Sequence, residues 1–81
     1  MIKVYSVPNC DYCDEAKALL NNNNIEFEDI NLREKHNRDA REYYRSLDIK
    51  TAPVIVDDDA DWIITGDNLE ELKIMLGIKN D

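Results

Sequence analysis

Ile2-Lys3-Val4-Tyr5-Ser6-Val7-Pro8-Asn9-Cys10-Asp11-Tyr12-Cys13-Asp14-Glu15-Ala16-Lys17-Ala18-Leu19-Leu20 is the stretch on which the reading of this chain turns. Residues 2–7 are rich in strand-forming side chains and predict a strand. Residues 11–22 predict a helix, with Cys13, Ala16, Leu19 and Leu20 at helical spacing on one face. Cys10 and Cys13 are the only cysteines, and they fall at the strand-to-helix junction. Two thiols one helical turn apart can close a short disulfide. The helix start adds partial positive charge, which favours thiolate over thiol. A loop this short gains little stability from a cross-link, so the pair reads as redox chemistry rather than as a staple.

Outward from that junction the elements follow in order. The run Asn21-Asn22-Asn23-Asn24 ends the helix, because asparagine tolerates the left-handed conformation of a helix stop. A second strand is predicted over 26–31, its Glu26, Glu28 and Asp29 suited to an exposed edge. A second helix over 34–47 carries Ala40, Tyr43, Tyr44 and Leu47 as an i, i+3, i+4, i+7 stripe. The apolar runs 53–57 and 61–65, joined by an acidic turn, predict a hairpin. The last helix starts near Asp67 or Asn68, carries Leu69, Leu72, Leu76 and either Ile74 or Met75, and stops at Gly77. The order is βαβαββα. It implies two parallel early strands, an antiparallel closing hairpin, and an α/β fold with a mixed four-stranded sheet and helices on both faces.

Length and charge narrow the function. Eighty-one residues make one small domain, residues 1–81, with a single core. No run of about eighteen apolar residues predicts a membrane span. The chain enters a strand at once, with no signal-peptide pattern, so the expected compartment is the cytoplasm, where paired cysteines are usually catalytic or metal-binding. A net charge of −8 argues against a nucleic-acid partner. The basic residues gather in one stretch, Arg33, Lys35, Arg38, Arg41, Arg45 and Lys50, while acids crowd the C-terminal third. His36, the single histidine, lies far along the chain from Cys10 and reads as a surface residue. Asp57-Asp58-Asp59-Ala60-Asp61 lacks the glycine and glutamate of a calcium loop and reads as a polar hairpin turn.

With these elements in order, the chain resembles the glutaredoxins, small members of the thioredoxin superfamily, over nearly its whole length. Cys10-Asp11-Tyr12-Cys13 resembles the family's dithiol motif, usually Cys-Pro-Tyr-Cys. Thr51-Ala52-Pro53 stands where the family has Thr-Val-Pro with a cis proline, and Gly66-Asp67-Asn68 where it has a glycine turn and an acid before the last helix. The resemblance implies a thioredoxin-like fold and a dithiol thiol–disulfide oxidoreductase. Cys10 would be the exposed nucleophile and Cys13 the less exposed, resolving thiol. A cis Pro53 would sit beside Cys10, and the Ala52 backbone would pair with an extended substrate. Tyr12, Thr51, Ala52, Pro53, Gly66, Asp67 and Asn68 would bind glutathione as co-substrate. No tightly bound cofactor or metal is implied. The partners would be glutathione and disulfide-containing proteins, ribonucleotide reductase among the candidates, for a monomeric protein.

Three positions depart from the family pattern. Val7 stands where many members carry a basic residue that would stabilise the thiolate and meet a glutathione carboxylate. Asp11 replaces the usual proline and, with Asp14 and Glu15, surrounds Cys10 with acid. The last turn reads Ile64-Thr65-Gly66-Asp67 in place of two glycines and an aromatic. Lys50 and the arginines of the second helix, Arg38, Arg41 and Arg45, are the cations able to compensate. A carboxylate beside a thiol raises its pKa. Asp11→Pro is therefore expected to lower the pKa of Cys10, read as thiolate absorbance against pH; an unchanged titration would contradict it.

Two other functions remain in view. A short acidic redoxin could serve ribonucleotide reductase and be recharged by thioredoxin reductase. In a different class, Cys-x-x-Cys thiolates bind Cu(I) or Zn. Small copper chaperones have the order βαββαβ, however, and need no Thr-x-Pro opposite the cysteines.

Overall fold

In the computed structural model, residues 1–66 and 68–78 are described. Strand β1 (Ile2–Ser6) leads to helix α1 (Asp11–Asn22), strand β2 (Phe27–Asn31), helix α2 (Arg38–Ser46), strands β3 (Val54–Asp57) and β4 (Trp62–Thr65), and helix α3 (Leu69–Leu76). The four strands form one sheet in the order β2-β1-β3-β4. β1 pairs parallel with β2, while β1–β3 and β3–β4 are antiparallel. The acidic strand β2 is an edge, as its charges predict.

Period-two alternation divides the apolar side chains between the two sheet faces. Ile2, Val4, Ile55 and Ile64 pack with Ala16 and Leu20 of α1 and Leu72 of α3. Tyr5, Leu32, Val54 and Val56 face the other way, against Ala40, Tyr44 and Leu47. Helices α1 and α3 therefore cover one face and α2 the other. Ser6 is the buried polar residue at the end of β1, and its hydroxyl donates to Asp29, which also pairs with Lys17 of α1 at 3.1 Å.

Helix α1 begins and ends where the sequence predicts. Asn23 is its C-cap and Asn24 takes a left-handed φ of 56°. The second helix is shorter than expected. Residues Lys35–Asn37 form a separate 3₁₀ turn, in which the Asn37 amide donates to the Glu34 carbonyl. The Asn37 side chain donates to the Asn31 carbonyl, and Arg41 reaches back to the carbonyls of Leu32 and Glu34. These bonds tie the start of the predicted helix to the end of β2 and hold it out of α-helical register. In α3 the inward stripe is Leu69, Leu72 and Leu76, with Leu72 fully buried and the other two partly so. Ile74 is 77% exposed and Met75 also faces outward, correcting the expectation that one of them joins the core. Gly77 ends the helix with φ 71°, the left-handed stop that glycine adopts without a Cβ penalty.

The turn Asp57–Asp61 lies at the pole of the sheet away from Cys10, because β3 runs antiparallel to β1 and sets Asp57 beside Ile2. The Asp57 carboxylate accepts from the amides of Asp59 and Ala60, and Asp58 pairs with Lys3 at 3.0 Å. Among the described residues no helix is long and apolar enough to cross a membrane.

Candidate redox site

Two left-handed or capped positions bring β1 to the cysteines. Asn9 turns the chain with φ 57°, a conformation open to asparagine. Cys10 follows in extended backbone (φ −121°, ψ 106°) as the N-cap of α1. Its sulfur accepts the Cys13 amide at 3.1 Å, and its carbonyl accepts the Asp14 amide at 3.1 Å. The sulfur thus occupies the place usually taken by a serine or aspartate oxygen. Charge on Cys10 after reduction would be met by that amide and by the helix start.

Cys10 and Cys13 are joined in a disulfide, their Cα atoms 5.2 Å apart. Their environments differ. Cys13 is 1% exposed, on the face that continues into Ala16 and Leu20, whereas Cys10 is only half-buried. An incoming sulfur can therefore reach Cys10 but not Cys13.

Opposite Cys10 stands the loop before β3. The Ala52–Pro53 peptide is cis, and the Ala52 carbonyl oxygen lies 3.8 Å from the Cys10 sulfur. A disulfide sulfur carries no proton, so this is a packing contact; only the reduced thiol has a hydrogen to donate there. Pro53 is buried and Gly66 is packed against it. A Cβ on Gly66 would overlap the ring carbons and backbone nitrogen of Pro53. Thr51 is exposed beside this wall, and its carbonyl accepts the Tyr44 hydroxyl at 2.5 Å. Burial pushes the Tyr44 phenol above its ordinary pKa.

The Glutaredoxin family model matches residues 2–60. A glutaredoxin-like 8.6 kDa protein from the rubredoxin operon of Clostridium pasteurianum is 36% identical over 72 residues, 89% of this chain and 92% of that one. The chain belongs to the glutaredoxin family. Among solved structures, the thioredoxin-like protein BC3987 superposes with a TM-score of 0.75 at 27% identity, covering 93% of this chain and 99% of that one. The glutaredoxin-like protein NrdH-redoxin from Escherichia coli does so with a TM-score of 0.69 at 24% identity, covering 88% of this chain and 92% of that one. The latter likeness speaks for the fold alone. A Cys10–Cys13 pair on this family's fold makes the protein a thiol–disulfide oxidoreductase of glutaredoxin or thioredoxin-like type.

The remaining glutathione-site residues named from sequence are not all gathered at the cysteines in the same way. Tyr12 is 53% exposed in the first turn of α1, between the cysteines in sequence. Asn68 caps α3, its amide donating to the Thr65 carbonyl and its side chain to Glu71. Asp67 lies outside the described residues. Val7 packs against the Tyr5–Leu32–Val54–Val56 cluster rather than presenting a polar group. Among the described residues no group of three or more His, Cys, Asp or Glu is arranged to hold a metal ion.

The structure also sorts the arginines that sequence left open. A cleft of about 220 Å³ is lined by Leu32, Arg33, Arg41, Tyr44 and Arg45. Arg38 points away, 80% exposed and paired with Glu42. Arg41 is committed to the Leu32 and Glu34 carbonyls at 3.1 and 2.6 Å. Arg45 and Arg33 remain at the cleft; Arg33 was missed because it lies before the helix, in the turn after β2. Tyr44 was read only as a core position. Its ring does pack, but its hydroxyl leaves the core for the Thr51 carbonyl, which no helical pattern reveals.

Proposed function

We propose that this protein reduces protein disulfides and glutathione mixed disulfides through Cys10 and Cys13, with glutathione as the electron donor. In the reduced state the Cys10 thiolate attacks one sulfur of a substrate disulfide. A Cys10–substrate disulfide forms, the substrate S–S bond breaks, and the leaving thiolate takes a proton from solvent. For a protein disulfide, the Cys13 thiolate then attacks the Cys10 sulfur, closing the Cys10–Cys13 disulfide and freeing the second substrate thiolate. Two electrons pass from dithiol to substrate. One glutathione then opens the Cys10–Cys13 bond by attack on Cys10, and a second removes the first as glutathione disulfide. In this reading Tyr12, Thr51, Ala52, Pro53, Gly66 and Asn68 contact the tripeptide, and Asp67 is assigned to it from sequence alone.

The observation that supports glutathione is the arginine-lined cleft, joined by Tyr44 to the Thr51–Ala52–Pro53 loop that faces Cys10. It supplies cations next to the wall where Val7 supplies none. A second reading, recharging by thioredoxin reductase with ribonucleotide reductase as a protein target, has its own support. Val7 is packed apolar, and Asp11 and Asp14 occupy the first turn beside Cys10. Disulfide reduction driven by glutathione with glutathione reductase, run beside the same reaction driven by thioredoxin reductase, separates the two. Glutathione is expected to support turnover at least about tenfold faster. The reverse order would overturn the glutathione reading while leaving the dithiol chemistry intact.

A further inference from the structure

Helix α2 lies on the opposite sheet face from α1, and none of its residues is fully buried. One of its side chains nevertheless bears on the redox centre. The Tyr44 ring is held by the cluster of Tyr5, Leu32, Val54 and Val56, and its hydroxyl donates to the Thr51 carbonyl at 2.5 Å. The Thr51 carbonyl and the Ala52 N–H belong to the same planar peptide unit, so fixing one fixes the direction of the other. The Ala52 carbonyl, at the far side of the same residue, lies 3.8 Å from the Cys10 sulfur. None of the backbone hydrogen bonds among the described residues uses the Ala52 N–H.

We propose that Tyr44 is a positioning residue for the substrate backbone, fixing the Thr51–Ala52 peptide plane so that Ala52 meets an extended chain disulfide-bonded at Cys10. This rests on the reading of Thr51–Ala52–Pro53 as the substrate-facing wall. The hydroxyl acts through the peptide plane and touches no reacting atom. A substrate with a peptide backbone on its sulfur gains from a fixed Ala52 N–H; a disulfide without one does not.

Tyr44→Phe keeps the ring and removes only the donor, leaving an exposed carbonyl to water. The test is single-turnover reaction of the reduced protein with two probes: a cysteine peptide disulfide-linked to glutathione, and dithiobis(nitrobenzoate), which has no peptide backbone. The expected result is a fall of about three- to tenfold in the rate constant for the peptide disulfide, the equivalent of one net hydrogen bond. The rate with dithiobis(nitrobenzoate) should stay within about twofold. Equal losses with both probes would assign Tyr44 a general structural role and overturn the proposal, as would no loss with either. Wild-type protein that releases no peptide thiol would instead overturn the exchange reading itself. Because no turnover is needed, the outcome does not depend on whether glutathione is the donor.

Discussion

Cys10→Ser is expected to bring disulfide reduction down to the rate seen without protein. A serine hydroxyl at the N-cap would accept the Cys13 amide as the sulfur does, so the helix keeps its cap and the loss is chemical. No thiol remains at the half-buried position, and Cys13, at 1% exposure, cannot substitute for it. Cys13→Ser should behave differently. Protein disulfide reduction should fall at least about a hundredfold, because an external thiol at millimolar concentration replaces an intramolecular one of far higher effective concentration. Release of glutathione from a glutathionylated peptide, which needs only Cys10 and a second glutathione, should persist. Turnover of both substrate types by both variants provides the check. Equal loss of the two activities in Cys13→Ser would contradict the assigned roles.

Gly66→Ala is expected to cost more stability than Gly77→Ala, although each adds a single methyl group. Gly66 has no positive φ, so the requirement is space rather than backbone freedom. A Cβ there overlaps the Pro53 ring and its backbone nitrogen, and neither can swing aside as a flexible side-chain end would. Overpacking a tight site costs about 1–3 kcal/mol and occasionally more; contact with backbone puts this case at the upper end. For a domain of this size that corresponds to a fall in Tm of roughly 10 °C or more. Gly77→Ala is the control. Its φ of 71° carries the left-handed penalty, but no atom stands within 4 Å of the added Cβ, so about 1–2 kcal/mol is the expected cost. Thermal unfolding of the two variants decides the matter. If Gly66→Ala is no less stable than Gly77→Ala, the close approach to Pro53 does not hold. In the folded fraction of Gly66→Ala, exchange with peptide disulfides should also slow, because Pro53 and Ala52 move together against Cys10.

The parts legible in sequence are those that local rules control. The strand-rich stretch 2–7, the short apolar runs 53–57 and 61–65, the 3.6-residue stripe of Cys13, Ala16, Leu19 and Leu20 and the asparagine run after it marked the elements and their order, because strand and helix burial each leave a trace in the chain. The cysteine spacing gave the redox pair for the same reason. What sequence could not show depends on contacts between distant segments. The break at Lys35–Asn37 comes from Asn37 and Arg41 bonding back to the β2 end. Gly66 looks like a turn glycine until Pro53 is seen against it. Tyr44 looks like a stripe residue until its hydroxyl is followed to Thr51. Three arginines of one helix were equivalent on paper; in space Arg38 pairs outward, Arg41 braces a turn, and Arg45 is left at the cleft with Arg33, which precedes the helix.

The roles of the two cysteines are tested most directly by trapping the first covalent step. Reduced Cys13→Ser and reduced Cys10→Ser, each mixed with glutathione disulfide at neutral pH and followed by intact mass, isolate one thiol at a time. The geometry predicts that Cys13→Ser gains one glutathione on Cys10, at a rate at least about tenfold above that of Cys10→Ser. An adduct that forms as fast on Cys13 in the Cys10→Ser protein would contradict the account.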